Sequence, residues 1–275
     1  MSVKQLFEQR FGIDLGIKTD IEPTPVTTQL LARRTHRRFI DKPVPDSLID
    51  HLLGASLSAS SKSDFQQASI IKLKNPAKRA AIAAHFPAMP WIGTSPVFLV
   101  FCGDPRRLEE ICKLRGHPQP QRNVEAFLNS SVDAALAMQT FIIAAEAAGL
   151  GCCPISVIRN KMGDVATVLN LPAGVFPVAG LCVGYPSEEG HLSMRLPPSL
   201  TVHADGYEDK PLQQEIDDYD RRRAARHATS REQQRNPARF GYADFYGWSE
   251  DKSRQAADPE GAEFADYLQK TWFSF

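Results

Sequence analysis

Apolar residues recur along this chain in two rhythms. In the first, Leu48, Ile49, Leu52 and Leu53 fall at helical spacing between Ser47 and Ser56, with Asp46 after Pro45 as the expected N-cap. A short helical run over Thr27–Ala32 precedes it, and Pro23-Thr24-Pro25 breaks any helix before that point. Further helices are predicted over Pro76–Phe86 and Arg159–Leu169. The longest helical pattern, Asn123–Ala148, carries Phe127, Val132, Leu136, Phe141, Ile142 and Ala145. It is apolar nearly all round, which predicts a buried or interface helix. Gly149-Leu150-Gly151 ends it in the manner of a glycine cap.

The second rhythm is the unbroken apolar run. Val97–Cys102 reads as a central strand covered on both faces, and Phe176–Gly184 as a buried strand closed by Tyr185-Pro186. Ser69–Leu73 is a further strand, and Cys153–Val157 a short strand or extended turn. Two irregular stretches interrupt the elements: the hydroxyl-rich Ser58–Gln67 and the loop Pro87–Pro96, which carries Met89 and Trp91. Apolar strands interleaved with helices predict an α/β or α+β sandwich. No internal repeat or low-complexity segment is visible.

Composition narrows the function classes. Lys plus Arg equal Asp plus Glu at 32 each in 275 residues, so no broad electrostatic grip on nucleic acid is expected. No apolar run approaches the roughly 20 residues of a membrane helix, and Met1–Glu8 lacks a signal-peptide core, which predicts a cytoplasmic protein with no membrane partner. The five cysteines include no Cys-x-x-Cys pair, poor material for a disulfide framework or a metal site. Cys102 and Cys182 read as small buried hydrophobes, and vicinal Cys152-Cys153 as inert.

Charge is unevenly placed. Arg33, Arg34, Arg37 and Arg38 crowd around Thr35 and His36. Guanidinium groups suit bidentate capture of phosphate and a hydroxyl adds a donor, although such clusters are also common as solvated faces. A second basic stretch runs from Tyr219 to Arg239, and an aromatic end follows, from Phe240 through Trp248 and Trp272 to Phe275. That end is expected to pack on the main body or on a second subunit.

The order of residues says more than their counts. Arg33-Arg34-Thr35-His36-Arg37-Arg38-Phe39 resembles the Arg-Arg-Ser-x-Arg-x-Phe signature of flavin-dependent nitroreductases. Ser60–Ser69 is similar to that family's serine-rich loop. Ala145-Glu146-Ala147-Ala148-Gly149-Leu150-Gly151 with Cys152–Asn160 resembles its Ala-Glu-x-x-Gly-Leu-Gly and following turn. Gly184-Tyr185-Pro186 and Arg195-Leu196-Pro197 resemble its Gly-x-Pro and Arg-Leu-Pro. Each piece is weak alone; their order over Leu30–Val202 is what identifies the family. Gly149-Leu150-Gly151 is no dinucleotide fingerprint, since no third glycine follows at the required spacing.

The resemblance implies an α+β, three-layer sandwich with a mixed sheet wrapped by helices, working as a homodimer with FMN at the subunit interface. It divides the chain into a lead-in (1–25), an FMN-binding core (26–206) and a C-terminal extension (207–275). Carried over by position, Arg33, Arg34, Thr35 and Arg37 bind FMN, with Arg195 closing on its phosphate. Ser60, Ser61 and Gln66 face the cofactor. Pro154, Ile155, Ser156 and Val157 lie along the ring, with a backbone N–H reaching flavin N5. Cations and donors near N1 and O2 favour the reduced flavin, so no protein nucleophile or general base is demanded.

Three departures bear on the substrate. Ser193 stands where close relatives carry a lysine, Met89 where a glutamine is expected, and Pro154 where a tyrosine lies in the turn. With Phe65 and Trp91 nearby in sequence, they imply a more apolar pocket. The implied activity is NADPH- or NADH-dependent hydride transfer by a ping-pong mechanism to a small electron-poor acceptor: a nitroaromatic, quinone or activated double bond. A reductase supplying reduced FMN, or a flavin-binding module without turnover, remains as an alternative. Arg231 or Arg235 is the loose candidate for the 2′-phosphate of NADPH, beside a solvated helix face.

Overall fold

The computed structural model describes residues 2–16, 23–208, 212–258 and 260–274, excluding the side chain of Ala262; Met1 and Phe275 lie outside them. Backbone contacts group the chain into two units, each assembled from separate segments. One is Arg34–His191 with Gly261–Phe275, the other Met1–Arg33 with Leu192–Glu260. These divisions differ from linear boundaries at 25/26 and 206/207, because the last helix belongs with the first unit and the lead-in with the second.

The first unit is built on a four-stranded sheet of order β1-β2-β4-β3, with β1 at Ala68–Lys72, β2 at Val97–Gly103, β3 at Gly151–Ile155 and β4 at Phe176–Gly184. All three strand pairings are antiparallel; parallel pairing enters at the isolated bridge Thr35↔Cys152 on the β3 edge, so the expected mixed character is confined there. Alternation along the strands sorts their side chains into two cores. Phe98, Val100 and Cys102 face one way, with Ile82, Ile158 and Val165. Leu99 and Phe101 face the other, with Ile49, Leu52, Phe141 and Ile142. Helices Pro76–Ala84 and Met162–Leu169 therefore cover one face, and Asp46–Ser56 and Val124–Ala147 the other, giving the three expected layers.

The same alternation separates the vicinal cysteines: Cys152 enters the second core and Cys153 the first. All five thiols are free, and burial pushes Cys102 and Cys182 up to about 12, which keeps them inert.

Several boundaries shift from expectation. Asp46 is the first helical residue rather than the cap; Pro45 occupies that place, and the Asp46 carboxylate accepts from Lys74 Nζ at 2.7 Å. The strand predicted at Ser69 begins one residue earlier. Trp91–Thr94 closes a helical turn inside the stretch expected to be irregular, and the helix expected from Arg159 opens as a tighter turn, Val157–Lys161. Helix Arg106–Arg115 has no counterpart in the pattern, because its buried position is a charge: Glu109 is held by Arg122 Nη2 and Lys113 Nζ, each at 2.8 Å. Those hydrogen bonds, the one from Arg122 foremost, lower its carboxyl to about 2.

Helix Val124–Ala147 starts at Asn123, whose side chain accepts from Ala126 N at 3.1 Å. With 24 residues and an 18-residue window of mean hydropathy 1.3 it is long and apolar enough to cross a membrane by length and composition. Its Phe141, Ile142 and Ala145 are nevertheless in the core, and its Asp133 is buried in protein contacts. Val124, Leu128, Val132 and Leu136 form an exposed apolar stripe at four-residue spacing. Helix Ala262–Thr271 closes the unit: Trp272 and Phe273 join Phe127 and Phe176, and Arg122 lies 5.0 Å from the Trp272 ring. This part of the aromatic end thus docks on its own unit.

In the second unit, Ser2 and Gln5 form a capping box at helix Val3–Phe11, where the sequence suggested only a lead-in. Helix Pro25–Ala32 is capped by Thr24, and Leu212–Arg226 and Trp248–Ala256 complete the framework. Arginines bind backbone carbonyls here. Arg10 donates to Leu31, Arg33 and Ser193, Arg226 to Glu8 and Gln9, and Arg254 to Arg235 and Gly241. Within Tyr219–Arg239, Arg226 makes such bonds while Arg221, Arg235 and Arg239 pair with Asp218, Asp251 and Asp258, so much of that charge is engaged within the unit.

Candidate functional site

The arginine segment is held by its backbone. Thr35 bridges Cys152, His36 N donates to Cys152 O at 3.0 Å, and Ile40 N donates to Tyr185 O at 3.0 Å. The approach is close enough to demand glycine at 151: a Cβ there would sit 2.8 Å from the His36 Cβ. With the backbone pinned along β3, the side chains are left for other partners. Arg34 Nη2 pairs with exposed Glu189 at 2.9 Å, a contact worth at most about 1 kcal/mol and easily exchanged for a phosphate. Arg34 Nε is buried and meets no acceptor among the described residues.

Arg37 lies 5.8 Å from the centre of the Trp91 ring, and Trp91 Nε1 is a second buried donor without an acceptor among the described residues. Arg37 is also close enough to Cys153 to oppose the upward push of burial on that thiol. Arg34–Arg37, Trp91 and the end of β3 therefore share one neighbourhood. In sequence Trp91 signals only apolar bulk in a loop; its indole N–H adds a polar feature there. Met89 and the Trp91 ring both pack against the first core.

The alternation continues through the end of β3 into the turn. Pro154 and Ser156 are exposed while Ile155 is 3% exposed and packed in the core, so Ile155 can offer a ligand only its backbone. Pro154 has no N–H. Any backbone donor in this turn must come from Ile155, Ser156 or Val157.

The serine loop is held in the opposite way, by side chains from distant elements. Buried Asp133 accepts from Ser61 Oγ at 2.7 Å, Lys62 N at 3.0 Å and Gln67 N at 3.0 Å. Ser61 Oγ in turn accepts from Gln66 N at 2.7 Å. Arg107 donates to Gln66 O and to Ala68 O, and Asp104 N donates to Gln67 O at 2.8 Å. Between these anchors Ser63, Asp64 and Gln66 adopt φ of 49°, 57° and 52°, each costing roughly 1–3 kcal/mol for a non-glycine residue. The loop borders a cavity of 710 Å³ lined also by Leu53, Arg107 and Asp133. Ser60 is exposed on its wall, whereas the Ser61 proton is committed to Asp133, and the Gln66 amide reaches Asp64 Oδ1 at 3.1 Å. Asp133 and Arg107 were not singled out in the sequence; an acid in the middle of an apolar helix was the available signal for Asp133.

Arg33 and Arg195 belong to the other unit. Arg195 is exposed, with its N–H on Arg10 O at 2.8 Å, and it lines a cavity of 570 Å³ with Phe11, Tyr219, Arg223, Trp248 and Lys252. Arg235 is engaged with Asp251 and Gln255, while Arg231 stacks 4.5 Å from the Tyr242 ring. Among the described residues no cluster of His, Cys, Asp and Glu is arranged to hold a metal.

Comparison with known proteins agrees with this architecture. Residues 30–185 match the nitroreductase family and residues 193–275 its C-terminal domain. An oxygen-insensitive NADPH nitroreductase of Salmonella typhimurium is 35% identical over 194 residues, 70% of this chain and 78% of the relative. An FMN reductase [NAD(P)H] of Bacillus subtilis is 32% identical over 186 residues, 66% of this chain and 74% of the relative. Among solved structures, NfrA2 of B. megaterium superposes with a TM-score of 0.82 at 30% identity, covering 92% of this chain and 99% of its own. The NADPH:FMN oxidoreductase of Vibrio harveyi, solved with NAD+, gives 0.78 at 26% identity, covering 90% and 98%. With a signature segment pinned along β3, a matching three-layer core and relatives of this kind, the chain belongs to the nitroreductase family, in its nitroreductase and flavin-reductase branch.

Proposed function

We propose that the protein is an NAD(P)H-dependent FMN oxidoreductase acting on a small electron-poor acceptor. The observation that carries this reading is the pair of buried, acceptor-less donors, Arg34 Nε and Trp91 Nε1, beside the arginine segment and the β3 turn. Such donors fit an anionic, acceptor-rich ligand, because a buried donor left unpaired is costly. Arg34, Thr35 and Arg37 would hold FMN, and Arg33 and Arg195 are phosphate candidates on motif position alone. Pro154 and Ser156 would present the exposed side of the turn to the bound cofactor, and an N–H of Ile155, Ser156 or Val157 would serve as its backbone donor. Ser60 is the serine whose hydroxyl is placed to contact the cofactor; Ser61 and Gln66 act by shaping the loop.

FMN, when bound, supplies hydride transfer from NAD(P)H and then to the acceptor, in a ping-pong order. The chain's own groups bind, orient and stabilise charge; no side chain is required to take a proton from the substrate. The names of the relatives support nitro compounds and free flavin alike as acceptors, so release of reduced FMN is the second reading. Arg231, with its exposed stack on Tyr242, is the better of the two candidates for a 2′-phosphate, since Arg235 is already engaged. The exposed stripe Val124–Leu136 supports a homodimer, and the enzyme is assigned to the cytoplasm.

The test is an anaerobic titration of the purified protein with NADPH and with NADH. A flavin band near ~450 nm that bleaches with stoichiometric NAD(P)H and returns on adding a nitroaromatic or quinone is expected. A protein that takes up no FMN sinks the reading, and one that bleaches only with added free flavin moves it to flavin reduction. Light scattering on the same sample reads the dimer.

A further inference from the structure

We infer that Asp133 is a positioning residue for the flavin site: from the middle of helix Val124–Ala147 it fixes the conformation of the Ser60–Gln67 loop. The inference rests on the proposed placement of that loop against FMN.

Asp133 is 3% exposed and carries no basic partner among its hydrogen bonds. Its carboxylate is satisfied instead by three donors from a single loop: one hydroxyl and two backbone N–H groups, at 2.7–3.0 Å. Lys62 N occupies Oδ1, and Ser61 Oγ and Gln67 N share Oδ2. The carboxylate thus gathers residues 61, 62 and 67, the two ends of the stretch holding the left-handed Ser63, Asp64 and Gln66. Left-handed backbone at three non-glycine residues persists only where surrounding contacts impose it. Charge-assisted bonds from a rigid helix are such contacts, about twice as strong as neutral ones.

An ordinary core role would not need a carboxylate here. Asn would keep the volume, but its amide NH₂ would face an N–H donor at one of the two oxygens. The acid is required because every group pointing at it is a donor. Arg107 completes the clamp at the exit by holding Gln66 O and Ala68 O, so both ends of the loop are fixed before any ligand arrives. Ser60, next to the anchored Ser61, is thereby presented on the cavity wall.

The experiment compares wild type with Asp133→Asn and Ser61→Ala as full-length proteins. FMN affinity is measured by quenching of flavin fluorescence, and backbone hydrogen exchange is followed in peptides covering residues 58–70. Expected are at least tenfold faster exchange at 62–67 in the apo form, about tenfold weaker FMN binding, and a raised KM for the acceptor with kcat changed less than threefold. Ser61→Ala removes one donor without touching the helix, so it reports even where Asp133→Asn folds poorly. Unchanged exchange in both variants overturns the clamp. Faster exchange with unchanged FMN affinity overturns the loop's role in the site while leaving FMN binding intact. Absence of FMN binding by wild type overturns the functional reading itself, and the inference with it.

Discussion

The two segments proposed to meet the cofactor are held by opposite means. Arg34–Arg37 is fixed by main-chain hydrogen bonds to β3 and the end of β4, which leaves its side chains available, Arg34 Nε among them. Ser60–Gln67 is fixed by side chains of Asp133 and Arg107, and its own backbone bears the strain. In the first, side-chain identity can change with little effect on shape. In the second, shape depends on residues about 40 to 70 positions away in sequence.

The sharpest test of that contrast is Arg34→Ala. It removes a charged donor from a segment whose backbone stays pinned, so FMN affinity is expected to fall about 50-fold, a loss of roughly 2–3 kcal/mol, with the melting temperature of the apo protein within about 2 °C of wild type. Isothermal titration with FMN checks the first and scanning calorimetry the second. A large drop in melting temperature would show that the side chain, too, supports the segment.

Gly151→Ala attacks the same segment through its backbone. The added methyl meets His36 at 2.8 Å, so the segment must move away from β3, at a cost of roughly 1–3 kcal/mol. Here stability and FMN retention should fall together, measured by thermal unfolding with and without FMN. If only affinity falls, the pinning to β3 is not what stabilises the segment.

A weaker effect is expected from acid, at a site away from both segments. The Glu109 carboxyl is lowered from 4.5 to about 2 by Arg122 and Lys113, so its contribution is fully present above pH 4.5 and fades as pH falls toward 2. Because both partners are about half exposed, roughly 2 kcal/mol is at stake rather than the full shift. In Arg122→Gln, the acid limb of a stability curve measured by urea unfolding between pH 2 and 6 should flatten. An unchanged limb would assign the acid sensitivity to other carboxylates.

The contrast also explains what was legible in the sequence. The strands, the three layers and the arginine segment could be read locally, because alternation of apolar residues and a run of arginines are properties of neighbours in the chain. The clamp on the serine loop could not, since nothing within Ser58–Gln67 reveals that Asp133 and Arg107 will face it. Helix Arg106–Arg115 escaped for a related reason: its buried position is Glu109, whose pairing with Arg122 is tertiary. The family motif sets Ile155 along the ring with its neighbours, whereas the alternation of β3 turns its side chain into the core. The capped helix Val3–Phe11 was missed although Ser2 and Gln5 stand at capping-box spacing. The basic tail's partners were not legible in composition: several of its arginines serve backbone carbonyls and neighbouring carboxylates of their own unit.

Trp91 gives the molecule an optical consequence. Its indole N–H is buried, has no acceptor among the described residues and is set beside a cation, so its emission is expected to respond to whatever reaches the nitrogen. An acceptor that reaches Nε1 will draw that emission to longer wavelength, and a flavin near the ring will quench it by energy transfer. With Trp248 and Trp272 replaced by phenylalanine, the remaining fluorophore reports occupancy of this neighbourhood without any added label, and its lifetime separates a ligand that only approaches from one that bonds to the nitrogen.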